Sequence, residues 1–502
     1  MDIKRIIAFV FALLILFSGC ENKNQQSVKA QFVPVTDGYS PDENKNFSAL
    51  KIPYDYEEGL SPYSTTSKPN RYICGLIYRS MVTLTSSYSF EYDLVSKISS
   101  SDNIEWYIYL DDGLSFPNGK EFTAYDLKYS VQQAMAENSY YYSSLDVIDS
   151  VNVINATCCK IVLKQADRYF PNLLTFPVIS FETSEDPEYF PGRYSLSDDG
   201  SALYANSDCA IKEIELAPIS DHDLLIYEMK MGVYSCIYCS DPLSLGTSSV
   251  GGIGGLQTNK MVYLEFNSGV PFLNRSDFRK AISAAIDYSF ISSDIYSNFA
   301  SVPRSIFNPD FYEMEFISKC NLDLMSANLL LDDIGLTERD SDGFRINSRG
   351  NRISFNLLVC SSSKAKVSLA EAIAEMLKEI GIETVVNSVP YSDYITAIGN
   401  YNYDMLIGEL KVDSDMDISP IIAPNDSRGY ALSPKEDMYY SWLEFMAGNI
   451  SASEMINRYN ESVPFVPLCY TKSCVIYSRD LAVSFGGTDF DMFYNILHWN
   501  KN

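Results

Sequence analysis

The chain has 502 residues, 46% hydrophobic and 13% aromatic, which is ample for a large packed core spread over roughly two to four domains. Its net charge of −27 repels nucleic acid and anionic lipid head groups and favours cationic ligands, although the same charge also serves solubility. Only two histidines, His222 and His498, are present, which counts against acid–base catalysis at neutral pH and against zinc or nickel carriage.

Taken in chain order, residues 1–20 read MDIKRIIAFVFALLILFSGC. Lys4 and Arg5 precede an apolar run, Ile6 to Phe17, that is too short for an ordinary spanning helix. Ser18 and Gly19 then lead into Cys20. The stretch resembles a bacterial lipoprotein signal, which implies that Cys20 is lipidated and becomes the first residue of the mature protein. Phe17 departs from the Leu that the pattern prefers. The alternative is a plain secretory signal with a chance cysteine. Residues 21–44 are polar and aperiodic at their start and read as a flexible tether. No later stretch is long and apolar enough to span a bilayer.

Ten cysteines follow Cys20. Secretion permits disulfides, but Cys158 and Cys159 are adjacent and Cys360 ends the apolar run FNLLVC, as packing thiols do. The motif CIYC, with Cys236 and Cys239, reads as a redox or metal pair, a local disulfide, or core packing.

Between Trp106 and Met135 the pattern changes from strand to helix. Trp106, Ile108 and Leu110 alternate with Tyr107 and Tyr109, as in a strand. The segments DDG and FPNG make turns. Thr123 is placed to cap a helix with Asp126 three residues on, and Leu127, Val131 and Met135 give its apolar stripe. Further on, GGIGG at 251–255, just ahead of a strand, reads as a flexible loop or as a mobile segment near a hinge, and not as a phosphate-binding loop, because no Lys-Ser/Thr follows at the required spacing. ISFNLLVC, the amphipathic run Val367–Ile380 ending at Gly381, IETVV, SDYITAIG and YDMLIGEL read as β-α-β-α-β, hence a parallel sheet with right-handed crossovers. Ligands of such sheets gather at the carboxyl ends of the strands. The last strand runs directly into KVDSDMD.

These stretches carry a resemblance. YDLVSKISSSDNIEWYIYLDDGLSFPNGKEFTAYDLKYSV resembles the signature region of the family 5 extracellular solute-binding proteins, the oligopeptide and dipeptide receptors of ABC importers. Phe116, Gly119, Thr123, Ala124, Asp126 and Ser130 match the pattern, and Leu127 stands where it has Val. GLSPY (59–63), LIYRSM (76–81), NLDLMSANLLLDDIGL and NESVPFVPLCY resemble further family segments in the right order. So does MVYLEFNSGVPFLNRSDFRKAISAAIDYSFI, through Asn267, Pro271, Phe272, Arg279, Ala281, Ala285 and Asp287. The run from Ala370 to Leu410 is similar as well, and the likeness extends from about residue 45 to the end.

The resemblance implies an α/β, two-lobed periplasmic-binding-protein-like fold of type II, with an extra domain inserted in lobe I. Lobe I would comprise 29–68, 196–263 and 463–502, the inserted domain 69–195, and lobe II 264–462. The strand–turn–helix around Asp126 falls in the inserted domain, where its residues are structural. The implied protein is not an enzyme and carries no cofactor. It is a monomeric, lipid-anchored receptor on the extracytoplasmic face of the cell membrane, which binds peptides and delivers them to ABC permease subunits, with no nucleic-acid partner.

A buried peptide needs partners for its main chain, since an unmade buried hydrogen bond costs about 1–3 kcal/mol, and needs a carboxylate for its terminal ammonium. In the family an Asp just after a Trp at this strand end takes the ammonium, and the matching residue is Asp413. Leu410 replaces the Trp and Met416 a nearby Pro, so Asp415 and Asp417 are rival candidates, and simple solvation of an acidic loop is the alternative. A calcium loop fails, because Ile418 stands where Gly is needed and Pro424 where the bidentate Glu belongs. Arg345, Arg349 and Arg352 read as a solvated hairpin, and Arg279 with Asp287 as structural ion-pair members. The motif SSSK (Ser361, Lys364) lacks the partner motifs of a serine enzyme and reads as a helix cap. The same fold also serves lipoprotein sensors or pheromone receptors and carriers of nickel or other small solutes.

Overall fold

Leu369, Ala370, Ile373 and Leu377 recur on one face of the helix Lys364–Glu379 and are all buried. Ser363 caps its start by accepting the Lys366 N–H at 3.4 Å. The helix stops before Gly381, whose φ is +82° and where an added Cβ would lie 2.7 Å from Arg339 Nη1 and 2.9 Å from Arg345 Cγ. Flanking it in sequence are the strands Ser354–Cys360 and Glu383–Val389, which pair in parallel, and Met405–Lys411, which pairs in parallel with the first. The β-α-β-α-β expected from the pattern is therefore present.

The computed structural model describes residues 50–181, 188–245, 251–314, 317–423, 436–483 and 486–501. The leader, Cys20 and the whole tether, 21–44, lie outside them. In the largest sheet the strand order is 236–239, 465–477, 252–266, 405–411, 354–360 and 383–389, with Ala300–Ser301 also pairing with 465–477. Two of these strands are long, Gly252–Phe266 with 15 residues and Phe465–Tyr477 with 13, and they run antiparallel.

Both long strands pass from one hydrophobic core to another. Met261 to Phe266 and Phe465 to Tyr470 sit in a core with Leu369, Ile373, Trp442 and Phe445. Leu256 and Val475 sit in a second core with Leu50, Tyr72, Leu203 and Trp499. This is a two-lobed α/β architecture, joined by strands whose two halves are buried in different lobes. The glycines at 252–255 belong to the first of these strands, not to a loop, because their backbone pairs with residues 474–477.

A third core lies under the antiparallel sheet 95–99, 105–110, 158–163 and 148–155 and the helix Ala124–Ala134. Here the strand–turn–helix folds as its pattern implies, with Trp106, Ile108 and Leu110 buried. The Asp126 carboxylate, fully buried, accepts from Thr123 N (2.9 Å), Thr123 Oγ1 (2.7 Å), Phe181 N (2.8 Å) and Lys120 Nζ (2.8 Å). Burial alone would raise its pKa, but these four donors hold it below the usual value. Its role is to lock the turn to the helix.

Arg345 departs from the sequence expectation. It is 2% exposed and donates to Ile380 O (2.8 Å), Asn328 Oδ1 (2.7 Å), Asp332 and Leu336 O. Its guanidinium fork collects acceptors left at the ends of two helices, so it is a core tie and not part of a solvated hairpin. Arg279 likewise donates to carbonyls, Val463 O (2.8 Å) and Leu273 O (2.9 Å), while Asp287 caps a turn by accepting from Phe290 N (3.0 Å).

Candidate functional site

The strand Met405–Lys411 delivers the acidic loop to the place where the two crossing strands leave one core for the other. Its continuation is fixed to the first crossing strand: Val412 N donates to Asn259 O (2.8 Å) and Asn259 Nδ2 to Asp413 O (3.0 Å). Asn308 Nδ2 braces this contact from below through Asn259 Oδ1 (3.0 Å) and Thr258 O (3.1 Å). Met416 then adopts φ +62°, and its N–H returns to Asp413 O (3.0 Å). That tight turn sends the three carboxylates in different directions.

Asp417 is committed to structure. It accepts from Ser419 N (2.8 Å), Ser419 Oγ (2.7 Å) and the indole of Trp442 (3.2 Å), which is itself buried. Asp415 is 4% exposed and accepts from Asp417 N at 3.1 Å. Asp413 is only half-buried.

The unexpected partner is Asp167, which comes from the body of the third core and is 4% exposed. Its Oδ1 accepts from Tyr169 N (2.7 Å), while its Oδ2 is buried without a hydrogen-bond partner. Burial, opposed by the Tyr169 N–H and reinforced by Asp417, pushes the Asp167 carboxyl up to about 8. Burial, then Asp167, Asp417 and Asp413, pushes Asp415 well above the carboxylate range. Two such carboxyls cannot both ionise without a counter-charge, so the pair holds a proton or requires a cation.

Asn172, in the same segment as Asp167, binds the two bodies together. Its Nδ2 donates to Ser414 O (2.8 Å) and Tyr88 O (2.9 Å), and Ser414 Oγ returns a bond to Asn172 O (3.0 Å). Tyr169 packs edge-on against Phe311 and donates to Glu313 Oε2 (2.8 Å). Tyr88, fully buried at φ +58°, packs edge-on against Phe490, with Asn308, Asp310 and Asp489 around its hydroxyl. A polar seam thus runs where segments of all three cores meet.

Of the three acidic residues picked out from the sequence, the structure leaves Asp413 half-buried, buries Asp415 near Asp167, and uses Asp417, also half-buried, as a cap. Asp167, Asn172, Asn259 and Asn308 were not singled out in the sequence. The one trace of Asp167 there is a charged pair, Asp167–Arg168, before the apolar run YFPNLL. Among the described residues no group of three His, Cys, Asp or Glu side chains is arranged to hold a metal ion.

The comparisons with known proteins bear on the family and the fold. Oligopeptide-binding protein AppA of Bacillus subtilis is 24% identical over 146 residues. The chain matches only 15% and 27% of the lengths of the first two curated relatives. Among solved structures, MppA, a periplasmic murein tripeptide-binding protein in an unliganded open form, superposes with a TM-score of 0.72 at 14% identity, covering 91% of this chain and 98% of that one. A nickel ABC transporter structure from Bacillus halodurans gives 0.70 at 16% identity, covering 88% and 98%. The family model for bacterial extracellular solute-binding proteins, family 5 (middle), matches residues 89–429, well over half of the chain. That stretch spans the strand–turn–helix, both Asp167 and the acidic loop, and the first crossing strand, and the chain belongs to the bacterial extracellular solute-binding proteins of family 5.

Proposed function

We propose that this protein is an extracytoplasmic receptor that captures peptides between its two lobes and delivers them to the permease of an ABC importer, without catalysis. In this reading the body with Leu50, Tyr72 and Trp499 in its core belongs to lobe I, the body with Trp442 is lobe II, and the Met81–Phe190 body is the inserted domain. Cys20 carries the lipid that holds the protein at the membrane. The observation that carries the function is the acidic loop Asp413–Asp417, set at the carboxyl end of a parallel strand beside the crossing strands and faced by a carboxyl from another body.

The chemistry follows from charge and burial. A peptide ammonium entering the seam finds Asp413 half-buried, with Asp415 and Asp167 behind it. Its positive charge relieves the repulsion among these carboxyls, which raises affinity for a cation and disfavours an anion. Closure of the lobes then desolvates the peptide main chain, whose groups must find protein partners. An affinity near micromolar, about −8 kcal/mol, suits capture followed by release.

Native mass spectrometry of protein purified from its own cells tests the reading, together with titration calorimetry using trialanine, trilysine and their N-acetylated forms. A co-purified peptide and tighter binding of the free-amine forms are expected. A protein that carries no peptide and binds none of the four overturns the reading. Incorporation of labelled palmitate that is lost in Cys20→Ser tests the anchor.

A further inference from the structure

The motif CIYC finds its explanation across the sheet rather than along the chain. Cys236–Cys239 is the edge strand of the largest sheet, and its register against Phe465–Tyr477 sets Cys239 directly opposite Cys474. This is the last rung of that ladder, and both cysteines carry free thiols. Directly opposed residues of an antiparallel pair have Cα atoms about 4.5 or 5.5 Å apart, and both spacings fall inside the roughly 4.4–6.8 Å that a disulfide spans. On the other side of Cys474 the register neighbour is Gly255, so no side chain competes for the space.

The remaining strand cysteines have no such partner. Cys236 opposes Tyr477, Cys360 opposes Val389, and Cys469 opposes Val262. Cys158 lies across from Tyr109 and Asn155, and Cys159 across from Ile108 and Val153. Cys239 and Cys474 share an apolar cluster with Met229, Tyr234, Ile237 and Ile476.

We propose that Cys239 and Cys474 form a modification site, a cross-strand disulfide that staples the edge strand 236–239 to the crossing strand 465–477. The oxidant is a disulfide-bearing partner of the extracytoplasmic space, either a small-molecule or a protein disulfide. The Cys239 thiolate attacks one sulfur of that disulfide, forming a mixed disulfide and releasing one thiolate. The Cys474 thiolate then attacks Cys239 Sγ, forming the Sγ–Sγ bond and releasing the second. In sum two protein thiols lose two protons and two electrons, and one disulfide is reduced to two thiols.

Cys239 is the thiol suited to the first attack. Hydrogen bonding with Cys474 draws it down to about 7 against the effect of burial, and the same contact pushes Cys474 up. Cys239 is also the more accessible, at 7% exposure against 0%. Its position on the last rung of an edge strand gives the oxidant a route in when that end of the strand frays. Once closed, the bond removes that fraying and links residues far apart in the chain, which constrains the unfolded state as well.

The test uses the full chain, folded, with oxidised glutathione as the probe. The sample is quenched in acid, alkylated with N-ethylmaleimide, digested and mapped by mass spectrometry. Two thiols are expected to escape alkylation, with the Cys239 and Cys474 peptides joined at a mass about 2 Da below their sum. The melting temperature should rise by about 5 °C or more on oxidation and fall back with dithiothreitol. Cys239→Ser and Cys474→Ser should each abolish the linked peptide and the redox-dependent shift, and Cys236→Ser should leave both intact. Full alkylation of Cys239 and Cys474 after oxidation, a Cys236–Cys239 linkage, or a lasting glutathione adduct on Cys239 would each overturn the proposal.

Discussion

Asn172 and Ser414 exchange two hydrogen bonds across the boundary between the third core and the acidic loop: Asn172 Nδ2 to Ser414 O at 2.8 Å, and Ser414 Oγ to Asn172 O at 3.0 Å. Both residues are buried, and the Asn172 amide also holds Tyr88 O. This amide ties the segment that carries Asp167 to the loop that carries Asp415.

Asn172→Ala should therefore both destabilise the fold and loosen the site. It strips the donor from two buried carbonyls, at about 1–3 kcal/mol for each one left unsatisfied. Thermal unfolding should show a drop of several degrees, and peptide affinity should fall with it. A variant as stable as the parent would show that water replaces the amide at no cost.

Asp167→Asn should stabilise the protein at alkaline pH. The folded value near 8 lies above the value of about 3.9 for an unfolded aspartate. The stability this group contributes is therefore full below about pH 4 and is lost as the pH rises toward 8. The charged groups around it are Asp415 and Asp417 of the loop, with Arg168 beside it lying 3.7 Å from Glu313. An asparagine can still accept from Tyr169 N but does not ionise. The difference in melting temperature, variant minus parent, should grow from about pH 5 to about pH 8. A constant difference would mean that Asp167 does not titrate in this range.

Asp413→Ala should weaken trialanine and trilysine binding by about tenfold or more, or about 1.4 kcal/mol, and affect their N-acetylated forms little. Calorimetry on the four peptides reads this directly. Equal losses for blocked and free amines would remove Asp413 from ammonium recognition. Asp417→Ala should act differently, lowering stability through the lost Ser419 and Trp442 bonds before it touches selectivity.

Arg345→Leu should cost about 3 kcal/mol or more, because Ile380 O and Leu336 O lose their donor in a buried setting. Urea unfolding monitored by tryptophan fluorescence is the measurement. Arg345→Lys should recover only part of the loss, since one ammonium cannot reach acceptors arranged for a planar fork.

Local pattern was enough for much of the fold. The alternation through Trp106, the Thr123–Asp126 cap, the helix ending before Gly381 and the β-α-β-α-β order are all set by neighbours a few residues apart, so they could be read from the string. The glycines at 252–255 and the guanidinium of Arg345 could not. Whether a glycine run is loop or strand depends on a distant partner strand, and whether an arginine is solvated depends on helix ends brought to it by folding.

The candidate site divides the same way. The acidic loop and its place at a strand end follow from the sequence, because strand and loop are contiguous. That Asp415 faces Asp167, that Asp417 is spent on Trp442, and that Cys239 meets Cys474 and not Cys236 follow only from the packing of three cores and the register of crossing strands. A carboxyl or thiol takes its ionisation from what lies within a few ångströms of it, and for these residues those neighbours are remote in sequence.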